Sequence, residues 1–148
     1  MTSQTSINYV APPTLAACMR GKGRVRVVRG PIGSGKSTAM AMELFRRMLE
    51  QEPGDDGIRR TQMAVVRNTL VQLRTTCLPT ILQLFGPLAH WRPSTNSIEF
   101  AFGDVKSTWL LLPLDTPDNI RRLLSLELTA AWVSELREIR IKIGRAHV

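Results

Sequence analysis

Cysteine and aromatic residues are scarce in this sequence, and each shortage narrows the field. The 148 residues include two cysteines, Cys18 and Cys77. They lie far apart with no neighbouring His or Cys, so they supply neither a metal site nor a disulfide framework. A reducing cytoplasm is the expected setting. Aromatics make up 5% of the chain, which gives no sign of the stacking platforms that hold single-stranded nucleic acid. No apolar run reaches the length of a membrane span, because Pro, Arg or Glu breaks each one. The opening MTSQTSINYVAPPTLAAC lacks a basic stretch ahead of an apolar core and does not read as a secretory signal. Repeats, low-complexity segments and a basic tail are also missing.

What is present suits one domain with a real core, at 43% hydrophobic content. The net charge is +8, the electrostatic footprint expected of a protein that meets a polyanion. The basic residues are spread out, at residues 20–29, Arg46-Arg47, Arg59-Arg60 and Arg121-Arg122. Charge alone does not choose between DNA, RNA and nucleotide, and a plain soluble basic surface accounts for it equally well.

Residues 1–23 read as an irregular segment broken by Pro12-Pro13. RVRVVRG at residues 24–30 alternates basic and apolar and stops at glycine, which predicts a strand. Met40, Leu44, Phe45 and Met48 recur at helical spacing, and Pro53-Gly54 should end that helix. QMAVVRN at residues 62–68 predicts a short buried strand. TLVQLRTTCLPTILQLFG predicts a helix interrupted at Pro79. Pro87, Pro93 and Asn96 mark a loop. SIEFAFG and KSTWLLLPL, separated by a turn at Gly103-Asp104, predict a hairpin or two neighbouring strands. Thr116 as N-cap, Pro117 at the first position and Asp118 in the first turn open another helix. LTAAWVS is a further buried strand. Strands alternating with helices argue for an α/β layered sheet.

The segment GPIGSGKS fits G-x-x-x-x-G-K-[ST] at every fixed position, between a predicted strand and a predicted helix. Its residues are Gly30, Pro31, Ile32, Gly33, Ser34, Gly35, Lys36 and Ser37, with Thr38 directly after. Glycines let successive backbone N–H groups turn inward onto phosphate oxygens, and the helix N-terminus adds partial positive charge. Lys36 would reach the β and γ phosphates, and the Ser37 hydroxyl would ligate Mg²⁺. The expected ligands are therefore ATP and Mg²⁺. Binding follows from this loop, whereas hydrolysis does not, because kinases and switches share it.

Hydrolysis turns on Glu135, which closes the run LTAAWVSE. With strand-like segments intervening after the loop, the pattern predicts a P-loop NTPase sheet of the additional-strand, catalytic-glutamate type. Glu135 would then end a central strand, facing the γ-phosphate, where open α/β sheets bind ligands. A carboxylate there can orient or deprotonate the attacking water. The plainer reading makes Glu135 the N-cap or first-turn residue of a helix starting at Leu136, and both can hold at once.

Three segments resemble the large subunit of terminase, the DNA-packaging motor of tailed phages: RGPIGSGKSTAMAMELFRR, GIRRTQMAVVRNTLVQLRTT and LLPLDTPDNIRRLLSLELTAAWVSELREI. The resemblance covers most of residues 24–139. It implies an ATPase that forms a homo-oligomeric ring on the procapsid portal protein. It further implies work with a small terminase subunit and pumping of double-stranded DNA in the host cytoplasm, without a membrane. It places Glu135 at the catalytic glutamate. It also places Arg122 where many members carry an arginine that completes a neighbouring subunit's site. Arg122 also reads as an ordinary helix-surface arginine, and Arg121 beside it could take the role. Arg67 is a further candidate for sensing phosphate. Tyr9 and Pro12-Pro13 lie upstream of the loop, where an adenine contact is expected, with no motif to fix one.

Two departures stand out. Ser134 replaces the acidic or amide residue usual before the glutamate, so magnesium is expected to be held through waters between Ser37 and Ser134. The family's protein is also several times longer. Residues 24–142 read as the N-terminal part of the ATPase domain, incomplete at the C-terminus and without the nuclease domain. Residues 143–148, IGRAHV, read as a translated sequencing adapter, a non-native tail that assigns no function to Arg145 or His147. Two other readings remain: a different P-loop enzyme, such as a kinase or helicase-like protein, and a nucleotide-binding module without turnover.

Overall fold

A computed structural model describes residues 35–135. The predicted strand at residues 24–30, most of the phosphate loop (Gly30, Pro31, Ile32, Gly33 and Ser34), Tyr9 and the tail at 143–148 lie outside the described residues.

Helix α1 spans Lys36–Glu50. It buries Ala39, Ala41, Leu44, Phe45 and Met48, the apolar stripe that the 3.6-residue period predicts. Met40 packs against the same core from a half-buried position. The helix ends as Gln51 turns extended, just ahead of Pro53-Gly54. Strand β1 spans Arg59–Arg67, beginning earlier than the apolar text suggests. Paired neighbours continue it into the basic Arg59 and Arg60, each of which meets an acidic partner, Asp104 and Asp56.

Thr69 and Gln72 form a reciprocal capping box at the start of α2, Leu70–Gln72. A π-helical turn follows at Leu73–Cys77, then α3 at Leu78–Phe85. The expected interruption at Pro79 is thus displaced upstream and takes the form of a wider turn instead of a break. Proline lacks an N–H and crowds the carbonyl four residues back. The π turn, closed by the Leu78 N–H donating to the Leu73 carbonyl, relieves that crowding. Thr75 and Thr76 assist by donating their hydroxyls to the carbonyls of Val71 and Gln72.

A 3₁₀ turn at Gly86–Leu88 leads into β2, Ala89–Arg92, a short strand where the prolines suggest only loop. Strands β3 (Ser97–Phe102) and β4 (Val105–Pro113) form the predicted antiparallel pair. Gly103, at φ 55°, takes the left-handed position of their two-residue connection. Helix α4, Pro117–Ser125, is capped as predicted, the Asn119 N–H donating to Thr116 Oγ1 at 3.2 Å. Strand β5, Ala130–Val133, completes the described set.

The sheet order is β2-β3-β4-β1-β5. Strand β1 runs parallel to both β4 and β5, while β3 pairs antiparallel with β2 on one side and β4 on the other. Alternation along the strands divides the core into two layers. Met63, Val65, Trp109, Leu111 and Trp132 meet α1, the π turn and α3. Ala64, Val66, Leu112 and Leu114 meet Ile120 and Leu123 of α4 on the opposite face. An aromatic cluster anchors the first layer. Phe85 stacks on Phe45 at 4.5 Å and meets Phe100 and Trp109 edge-on, each at 5.7 Å. Among the described residues, no helix is long and apolar enough to cross a membrane.

Candidate active site

The direction of α1 follows from its C-terminal end. The Arg59 guanidinium donates to the Gln51 carbonyl, so the end of α1 lies beside the start of β1 and the two run antiparallel. The 15 residues of α1 rise about 22 Å, roughly the reach of seven strand residues. That length brings the N-terminus of α1 level with the carboxyl-terminal part of β1. Gly35, at the N-cap, has φ 82°, a conformation that glycine adopts without steric cost. Lys36 is half-buried and Ser37 exposed. No acidic residue stands in the first turn, so the helix dipole there is unopposed.

Beside this end lie the carboxyl ends of β1 and β5. Period-two alternation puts Arg67 on the same face as Met63 and Val65, and Ser134 on the same face as Trp132. Both therefore face the layer that holds α1 and the π turn. Arg67 Nη1 donates to Thr76 Oγ1 at 2.7 Å. The Ser134 N–H donates to the Val66 carbonyl at 2.8 Å, extending the parallel ladder by one bond past β5. Ser134 is 9% exposed and Cys77 is 1% exposed. Burial pushes the Cys77 thiol above its ordinary range; hydrogen bonds from Thr76 and Ser134 and the charge of Arg67 oppose the rise, and the charge of Glu135 adds to it. Cys77 is thus a neutral S–H group among Arg67, Thr76, Ser134 and Glu135.

Glu135 follows directly, at φ 52°. A side chain in this left-handed region costs about 1–2 kcal/mol, and such strain concentrates at functional sites. Among the described residues, β5 pairs on one side only, with β1; the central placement expected for the strand that Glu135 ends rests on residues outside them.

Lys36, Ser37, Thr38, Arg67 and Glu135 thus belong to one end of the sheet. Arg121 and Arg122 do not join them. Both are exposed on α4, across the sheet from α1, and Arg121 Nη1 is engaged by Asp118 at 3.0 Å. Sequence reasoning missed Thr76 and Cys77 as neighbours of the acidic loop. Their one signal is the threonine pair ahead of Leu78-Pro79. Among the described residues, no three His, Cys, Asp or Glu side chains gather to hold a metal.

No family model matches the sequence, and no curated protein matches it. The fold does have a counterpart among solved structures, the large terminase of a thermophilic bacteriophage. The two superpose with a TM-score of 0.61 at 13% sequence identity, over 78% of this chain and 28% of that one. The present chain therefore spans under a third of the terminase's length, and the likeness is one of backbone architecture. These residues form a mixed α/β, five-stranded unit with a terminase-like fold.

Proposed function

We propose that this chain is the ATP-hydrolysing part of a terminase-like motor that drives double-stranded DNA into procapsids. One observation carries the reading. The phosphate-loop text G-x-x-x-x-G-K-[ST] leads into a helix whose N-terminus lies at the carboxyl ends of parallel strands, one of which runs into a strained glutamate. The terminase-like fold supports it.

The residues fit a bound nucleotide. Left-handed Gly35, half-buried Lys36 and exposed Ser37 are what a phosphate cradle requires at a helix start. Lys36 would hold the β and γ phosphates, and Ser37 would ligate Mg²⁺. The ATP–Mg²⁺ pair supplies the phosphoryl group and neutralises part of its charge. Glu135 would take the proton of the attacking water. Magnesium would be held in part through waters between Ser37 and Ser134. Arg122, lying across the sheet from Lys36 within one chain, would act on a neighbouring copy's site in a homo-oligomeric ring. Portal protein, small terminase subunit and double-stranded DNA are the proposed partners. The +8 charge would serve contacts with the DNA backbone that weaken with salt.

The test is ATP turnover and nucleotide binding by the chain and its full-length gene product, compared with Glu135→Gln and Lys36→Ala. Binding retained with turnover abolished in Glu135→Gln, and binding lost in Lys36→Ala, supports the reading. Unchanged turnover in Glu135→Gln removes Glu135 from the mechanism.

A further inference from the structure

The π turn at Leu73–Cys77 is held from two sides by side-chain bonds that a helix does not need for its own formation. On one side, Arg67 at the carboxyl end of β1 donates through Nη1 to Thr76 Oγ1 at 2.7 Å. The same hydroxyl donates to the Gln72 carbonyl at 2.5 Å, so one oxygen joins the strand to the backbone of the turn. On the other side, Arg74 reaches the loop between β2 and β3. Its Nη2 donates to Asn96 Oδ1 and, at 3.4 Å, to the Pro93 carbonyl. Its guanidinium lies 5.6 Å from the centre of the Trp91 ring. Asn96 is left-handed at φ 47°, and its carbonyl accepts from the Leu111 N–H of β4 at 2.9 Å. Residues 92–95 of the loop are exposed.

A π turn carries one residue more than the α register accommodates, and such turns recur at functional sites. The Leu78 N–H closes this one on the Leu73 carbonyl; in the α register it would close on the carbonyl of Arg74. Moving the extra residue out of the turn rotates the side chains before it against those after it by roughly 100°. Arg74 and Thr76 lie within the same turn, so both cannot keep their partners through that change. The two bonds therefore favour the same register, and release of either weakens the hold on the other. That is the two-arrangement element that coupling between separate sites requires.

We propose that the π turn is a relay between the nucleotide end of the sheet and the β2–β3 loop, with Arg67 and Thr76 as its inner contact and Arg74 and Asn96 as its outer one. Loss of the inner contact lets the turn leave the π register, which draws Arg74 off Asn96 and loosens the loop; loss of the outer contact acts in reverse on the turn. The role of nucleotide in setting the inner contact rests on the phosphate-loop reading of residues 30–37.

The experiment uses the full chain. Hydrogen exchange is followed at the Leu78 amide and across residues 94–98, without nucleotide and with Mg²⁺ and a non-hydrolysable ATP analogue. Thr76→Val keeps the side-chain shape and removes the hydroxyl. Without nucleotide it should accelerate exchange across residues 94–98 roughly tenfold, although residue 76 makes no contact there. Asn96→Gly, which suits the positive φ, should accelerate exchange at Leu78 in the same way, as reciprocal coupling demands. In the parent chain the analogue should change exchange at Leu78 and at residues 94–98 together. In Thr76→Val the analogue should still bind, and the response of residues 94–98 should vanish. Acceleration confined to the substituted element in either variant overturns the relay, as does a loop that answers nucleotide in Thr76→Val as it does in the parent. A parent chain that binds the analogue with no change across residues 94–98 also overturns it. If the parent binds no nucleotide, the phosphate-loop reading fails, and the nucleotide-free comparison alone decides the relay. Should Thr76→Val not fold, Asn96→Gly, a change outside the core, carries the same decision through exchange at Leu78.

Discussion

Glu135 offers a perturbation whose sign the backbone dictates. At an ordinary φ, glycine is less stable than alanine by about 0.5–1 kcal/mol, because the unfolded chain has more freedom to lose. At φ 52°, a Cβ costs about 1–2 kcal/mol that glycine avoids. Taking mid-range values of the two terms leaves Glu135→Gly more stable than Glu135→Ala by roughly 0.75 kcal/mol. Both variants lose the same side-chain contacts, so their difference isolates the backbone. For a chain of this size that difference is a shift in Tm of roughly 1–4 °C, readable by thermal melts and checked by urea titration. Both should lose turnover by roughly a hundredfold or more, as expected when a general base is deleted. Alanine equal to or more stable than glycine would show that residue 135 is not left-handed, and would remove the argument that strain is stored there.

Three further outcomes follow from the packing and the layout. Phe85 is 2% exposed and touches three other rings, so Phe85→Ala should cost about 3–5 kcal/mol in urea denaturation, and Phe85→Leu markedly less. Thr116→Ala removes the cap on Asn119 and should cost about 1 kcal/mol, with α4 fraying first in hydrogen exchange. Arg122→Ala and Glu135→Gln proteins should each lack turnover, and mixing them should restore part of it, because intact halves of one site then meet across a subunit boundary. No recovery on mixing would refute an arginine acting between copies.

The elements most legible in the sequence were those with local physics of their own. Thr116-Pro117-Asp118 is a helix start in any context, and the alternation from Ser97 to Pro113 with Gly103-Asp104 between is a hairpin in any context. Helix α1 was legible from Leu44, Phe45 and Met48, whose spacing matches one face. What stayed hidden depends on partners distant in the chain. AHWR is too short and too closely flanked by prolines to announce a strand, and it becomes one by pairing with β3. The π turn has no periodicity of its own; it reflects Pro79 combined with threonines that satisfy the loosened carbonyls. At the site, Lys36, Ser37 and Glu135 were visible as motif residues, and the fold sets them at one end of the sheet. The bond from Arg67 to Thr76, next to Cys77, was not visible, because it joins β1 to a helical turn through side chains that carry no motif.

The layout of the sheet also sets an order of assembly. Strands β2, β3 and β4 can pair across short connections, and closing such loops costs little entropy. Strand β5 must instead find β1 across most of the described chain, where Thr129 meets Gln62 at a separation of 67 positions. Pairings of that range form late in folding and tend to open early. The acidic loop therefore matures after the hairpin scaffold exists, and Glu135 reaches its working conformation when the last long-range closure is made.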